Sequence, residues 1–108
     1  MINYDDFSKL DIRIGEIKEV EIVEDADKLL KLAVDVGEDE PRQIISGIRE
    51  FFEDPQEIIG KKCPFLINLE PRVIRGYESQ GMMLAGKHED VFALLLPHND
   101  LPAGTKIS

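Results

Sequence analysis

Apolar and polar residues alternate through Asp11–Val23 and again through Leu30–Val36, and between the two runs lies Glu24-Asp25-Ala26-Asp27, a segment of turn-forming composition. A period of two sends alternate side chains to opposite faces of a strand, so the runs predict an antiparallel pair with one apolar face. In the first run Ile12, Ile14, Val20 and Ile22 share a parity, Ile17 is out of phase and Gly15 interrupts the pattern. A strand this long keeps an apolar face inward only by bending, through a bulge or sharp coil near Gly15, and a strongly bent strand belongs to a barrel. Upstream, Asn3 and Asp6 are spaced to cap one helical turn that carries Tyr4, Phe7 and Leu10 inward.

Further along, Gly37–Pro41 closes the second strand and Arg42–Ile48 reads as a third. Asp54 and Pro55 stand at the N-cap and first position of a short helix that ends at Gly60. Cys63–Leu69 is a continuous apolar run fit for a buried strand, Pro71–Glu78 a basic loop and Gly81–Gly86 a fifth strand. Val91–Leu96 and Thr105–Ile107 are extra strands. Three strands, a short helix and two more strands is the order of an OB-fold, a five-stranded all-β barrel whose sheet face and loops hold oligonucleotides. With 108 residues and no internal repeat, low-complexity tract or linker, residues 1–108 are expected to form a single domain.

The apolar runs Cys63–Leu69 and Val91–Leu96 fall far short of the roughly 20 residues that cross a bilayer, so no membrane span is expected. The N-terminus lacks the charged and apolar regions of a secretory signal, which points to the cytoplasm, and the Met1 start favours a whole chain. The single cysteine, Cys63, cannot form an internal disulfide. A net charge of −9 opposes a polyanionic partner. The charge is uneven, however. From Lys61 to Lys87 five bases face two acids, a net +3, which leaves −12 for the remainder. One segment therefore stands apart electrostatically.

Catalysis and metal binding find no support. Asp25 and Asp27 alternate as in a calcium loop, but Leu29 stands where a third ligand is needed. His88 and His98 lack a cysteine partner at zinc spacing, and Cys63 opens an apolar strand, where a buried thiol is expected rather than a nucleophile. No cofactor, no metal and no enzymatic activity are expected. Met82 and Met83 read as core residues of the fifth strand.

Several strings nevertheless carry a resemblance: Phe7–Gly15, Asp25-Ala26-Asp27-Lys28-Leu29, Ser46-Gly47-Ile48-Arg49, Gly60-Lys61-Lys62, Asn68-Leu69-Glu70-Pro71 and Arg75–Met82. In this order and spacing they resemble the tRNA-binding domain of methionyl-tRNA synthetases, of free-standing dimeric tRNA-binding proteins and of synthetase cofactors. The resemblance implies tRNA binding by shape and backbone, a homodimer in which the C-terminal extension helps form the interface, and methionyl-tRNA synthetase as a partner. Arg72 and Arg75 are then candidates to clamp phosphates, with Lys61, Lys62 and Lys87 nearby in sequence. Asn68, Ser79 and Gln80 supply neutral donors and acceptors, Gln80 being the one expected to reach outward. Ser46 and Arg49 end the third strand beside the groove, Lys28 reaches in from the first hairpin, and Tyr77, alone among the aromatics in the basic loop, is the stacking candidate. Glu70 and Glu78 depart from the Lys- and Arg-rich loop typical of the family, which predicts weaker RNA affinity. A related branch of export-associated chaperones is similar in the opening strand and in the Leu101–Lys106 ending but not in Ser79–Met82. The alternative, favoured by the negative charge, is a protein-binding module or a chaperone-like binder of unfolded chains.

Overall fold

A computed structural model describes residues 1–108. Its principal sheet orders five antiparallel strands as β3 (Arg42–Ser46), β2 (Leu30–Asp35), β1 (Ile12–Ile22), β4 (Lys62–Leu66) and β7 (Met82–Met83). Strand β1 belongs to both halves: Ile12–Glu16 pair with β4, and Glu16–Ile22 pair with β2. Ile17 faces Val34 while Glu19 faces Ala33, so Lys18 is an extra residue in the ladder. This bulge lies at Lys18 rather than at Gly15. It lets Ile17 and Val20, three positions apart, both enter the core, because one added residue reverses the parity of everything after it. Ile22, expected on the same face as Val20, is instead 48% exposed and lines a surface groove with Phe52 and Pro55.

Gly15 serves another purpose. A Cβ there would lie 2.6 Å from Val34 Cγ1 and 2.7 Å from Phe65 Cδ2, so glycine lets the side chains of β2 and β4 close over the bent strand. Thirteen buried residues fill the barrel, among them Ile17, Leu30, Leu32, Val34, Ile44 and Phe65. Each large aliphatic or aromatic group removed from water there contributes about 1.5–3 kcal/mol.

The connection from β3 to β4 is two 3₁₀ turns, Arg49–Phe51 and Pro55–Ile58, in place of the expected short helix. Asp54 caps the second as anticipated, its Oδ1 accepting from Gln56 N at 3.1 Å. Four residues are too few for an α-helical ladder, and the tighter turn lowers Ile58 into the core. The capping box of Asn3 and Asp6 also forms, around a helix Tyr4–Ser8. Of Tyr4, Phe7 and Leu10, the last of which lies beyond the helix, only Phe7 is partly buried. Tyr4, at 77% exposure, and Leu10 face solvent, since a single turn presents one side to the protein.

Past β4 the strand boundaries differ most from expectation. The basic loop is a hairpin, β5 (Arg72–Ile74) and β6 (Tyr77–Ser79), turning at Arg75-Gly76. The fifth strand shrinks to Met82 and Met83, with Met82 exposed. Ala85 and Gly86 instead enter a further hairpin of β8 (Ala85–His88) with β9 (Val91–Leu94). The tail returns to β1: Ile14 N donates to Thr105 O, and Ile107 N to Ile12 O, each at 2.8 Å.

The barrel closes where β3 meets the segment from β6 to β7, and side chains do most of the closing. Gln80 N donates to Gln43 O at 2.8 Å, the one main-chain bond across the seam. Gln43 N donates to Gln80 Oε1 at 2.8 Å, and Ile45 N donates to Ser79 Oγ at 3.0 Å. Gln43 Nε2 adds a bond to Glu78 O at 2.9 Å. Gly81 follows at φ +153, where a Cβ would approach Leu66 O to 2.9 Å.

Candidate nucleic-acid interface

Thirteen lysines and arginines are available, and six of them are engaged in ion pairs: Lys9, Arg13, Lys18, Lys31, Arg42 and Lys62. Among the remaining seven, Lys28, Arg49 and Arg75 are brought to one rim of the barrel, with Arg72 on the same hairpin as Arg75. Arg75 at the hairpin tip and Ile74 face Asp25–Leu29 of the β1–β2 loop across a shallow groove of about 430 Å³ that Lys28 also lines. Arg49 adjoins this loop, its main-chain N donating to Lys28 O at 3.2 Å and its Nη1 reaching Ala26 O at 3.5 Å. Ser46, half-buried at the end of β3, pairs with Leu30 at the start of β2, directly after the loop. The rim thus gathers three cations, Lys28, Arg49 and Arg75, none in an ion pair, with Asp25 and Asp27 lining the same groove and Arg72 at the far end of the hairpin beside Ser79; phosphate oxygens are the ligands such cations accept best.

The remaining expected residues lie elsewhere. Lys62 is bound to Asp100 at 2.8 Å, and exposed Lys61 precedes it at the start of β4. Lys87 stands on β8 with its Nζ 5.4 Å from the Phe51 ring centroid, above a ring stacked on Phe92. Asn68 is occupied at both ends: its Oδ1 accepts from Asp11 N at 2.8 Å and its Nδ2 donates to Lys9 O at 2.6 Å, which ties the helix–strand link to the end of β4. Ser79 is 2% exposed, and its hydroxyl accepts from Ile45 N while donating to Gly81 O at 3.1 Å. Gln80 does not reach outward, because its carbonyl oxygen is held at the seam by Gln43 N.

Tyr77 is exposed, with the Lys31 ammonium 4.9 Å from its ring centroid and Glu21 holding that ammonium at 2.9 Å. The Glu21 hydrogen bond raises the Lys31 pKa above its ordinary value. The Lys31 ammonium therefore covers one face of the ring. Neither Lys31 nor Arg42 was singled out in the sequence. Arg42 Nη1 donates to Ile67 O and Gln80 O, while Nε and Nη2 grip the Glu38 carboxylate, whose pKa is lowered by that contact. Outward parity marks Lys31, but only the register of β1 on β2 places Glu21 beside it.

The outer face of β1–β3 is acidic. Glu19, Glu21, Asp35, Glu38 and Asp39 line its two grooves against Lys18, Lys31 and Arg42, with Glu21 and Glu38 neutralised by ion pairs to Lys31 and Arg42. An oligonucleotide laid along the sheet, as many OB-folds hold one, would meet these carboxylates. Cys63 is fully buried, and desolvation pushes its thiol up to about 11, the opposite of an activated nucleophile.

A nearly closed five-stranded barrel with three unpaired cations, Lys28, Arg49 and Arg75, at one rim is an architecture compatible with a nucleic-acid-binding module. Residues 12–106 match the family described as "Putative tRNA binding domain". The chain belongs to this family and is a tRNA-binding domain. It is 44% identical over 107 residues to the methionine–tRNA ligase of Lactococcus lactis, covering 98% of this chain, and 49% identical over 107 residues to that of Caldanaerobacter subterraneus, covering 99%. The chain spans 16% of the length of either relative. Among solved structures it is similar to the MetRS-related protein from Pyrococcus horikoshii, with a TM-score of 0.91 at 35% identity, covering 100% of this chain and 98% of that one. The chaperone CsaA from Bacillus anthracis superposes with a TM-score of 0.88 at 33% identity, covering 100% and 99%.

Proposed function

We propose that the chain binds tRNA without catalysis, through phosphate contacts made by Lys28, Arg49 and Arg75 at the barrel rim and by Arg72 on the same hairpin as Arg75. The observation that carries this reading is the meeting of Arg75 and Lys28 across one groove, neither held in an ion pair although Asp25 and Asp27 line the same groove, while the grooves of the sheet face carry more carboxylates than cations. Ser46 supplies a neutral hydroxyl at the groove's edge, and the exposed ring of Tyr77 accepts one unpaired base. Lys61, Lys62 and Lys87 form a second, more distant set that a larger RNA body reaches only beyond the rim. The 108 residues act as one domain in the cytoplasm, in trans to or joined to a methionyl-tRNA synthetase. Two copies associate through the C-terminal hairpin, where Val91, Leu95 and Leu96 are exposed. Pairing duplicates the rim and raises avidity without new contacts.

Filter binding of total tRNA to the wild type and to an Arg72→Ala, Arg75→Ala double variant tests the assignment. A loss of about tenfold or more is expected. Unchanged affinity would remove the rim from consideration. The likeness to CsaA and the exposed apolar groups favour a second reading, binding of unfolded chains. A permanently unfolded polypeptide run beside the tRNA separates the two: retention of the polypeptide alone supports the chaperone reading.

A further inference from the structure

The hairpin that carries Arg72 and Arg75 has only three residue pairs of its own, Arg72 with Ser79, Val73 with Glu78 and Ile74 with Tyr77. Two short strands by themselves do not hold a fixed shape in water. The pose of the two arginines therefore depends on how β6 is fastened to the barrel. It is fastened mainly by side chains. One main-chain bond crosses the seam, from Gln80 to Gln43, whereas four others run through the Ser79 hydroxyl, the Gln80 side-chain carbonyl, the Gln43 amide and the Arg42 guanidinium. Two consecutive side chains, Ser79 at the end of β6 and Gln80 just after it, thus take the place of ladder carbonyls for the N–H groups of Ile45 and Gln43.

We propose that Gln43, Ser79 and Gln80 are positioning residues for tRNA binding: through the seam they set the pose of the β5–β6 hairpin, and hence of Arg72 and Arg75, without touching RNA. This rests on the reading that those arginines contact phosphates. Ser79 cannot serve RNA directly, being buried with its hydroxyl engaged as both donor and acceptor. Gln43 sits on β3 and donates to the backbone of Glu78, one residue from Tyr77. Gly81 completes the device, since its conformation sends the chain from the seam toward β7 where a side chain would strike Leu66 O. Ser79-Gln80-Gly81 is thereby accounted for as a fastening.

The test is the salt dependence of total tRNA binding, because the slope of log affinity against log salt counts neutralised phosphates. Gln43 and Ser79 carry no charge, so losing a direct contact with either would lower affinity and leave the slope alone. A positioning role lowers both. Gln43→Ala is expected to weaken binding about three- to tenfold and to flatten the slope by about one phosphate contact. In the Arg72→Ala, Arg75→Ala background the same change is expected to have no further effect, the non-additivity of groups that act through one another. Gln43→Met, which keeps the volume and removes only the amide, is expected to reproduce the loss, and a thermal melt of each variant establishes that it is folded. Unchanged slope in both Gln43 variants, or losses that simply add to those of the arginines, would overturn the proposal. If the arginine pair itself leaves affinity and slope unaltered, the rim assignment falls instead, so the two failures are told apart.

Discussion

The hydroxyl of Ser79 is the single acceptor for Ile45 N–H in the interior of the seam. Ser79→Ala leaves that donor buried without a partner, which costs about 1–3 kcal/mol and should appear as a lowered urea midpoint at unchanged slope. Arg75 presents the opposite case. It occupies φ +53 beside Gly76 at φ +84, the left-handed pair of a two-residue hairpin turn, a place that favours Asn, Asp or Gly. Arg75→Asn is expected to stabilise the fold by up to about 1 kcal/mol in thermal unfolding and, on the proposed phosphate contact of its guanidinium, to weaken tRNA binding. A variant as tight as the wild type would show that the guanidinium makes no such contact. Cys63 is fully buried with its thiol pushed up to about 11. Its neutral form is favoured by the fold, so that contribution is intact below about pH 9 and is lost as pH rises through about 11. A disulfide reagent should accordingly label it only after unfolding. Among these residues the types were legible in the sequence, but the direction of Gln80 was not. Whether an amide reaches solvent depends on which backbone groups lie unpaired beside it.

At the scale of elements, the strands with a strong period of two, β1 and β2, were found where alternation placed them, because each buries one face. The hairpin of β5 and β6 was read as a loop for a physical reason: Arg72, Val73, Tyr77 and Glu78 are all exposed, so no alternation marks it. The fifth strand was overextended because Ala85 and Gly86 continue an apolar run that turns outward to pair with β9. Arg42 joins three of these elements, through Glu38 after β2, Ile67 after β4 and Gln80 at the seam. Its guanidinium lowers the Glu38 pKa, a stabilising effect that is present above the ordinary carboxylate range and is lost as pH falls through the folded value. Arg42→Met should therefore raise the pH at which acid unfolds the protein and return the Glu38 titration, followed by NMR, to its ordinary place.

For the molecule as a whole, the net charge of −9 governs how RNA can approach. On the proposed reading, RNA meets three unpaired cations at the rim with Arg72 on the adjoining hairpin, so few counterions are released. A slope of log affinity against log salt of about −2 to −4 is expected for each rim, measured by filter binding across a potassium chloride series. A much steeper value would mean that Lys61, Lys62 and Lys87 share the same RNA surface. The sequence by itself determined the barrel, its first four strands and one basic segment, Lys61–Lys87, because alternation, turn chemistry and charge density are local properties; the rim cations Lys28 and Arg49 lie outside that segment. Tertiary structure decided which polar residues of that segment remain free. Ser79 and Gln80 are claimed by Ile45 and Gln43, 34 and 37 positions away, and only closure of the barrel brings those unpaired backbone groups within reach.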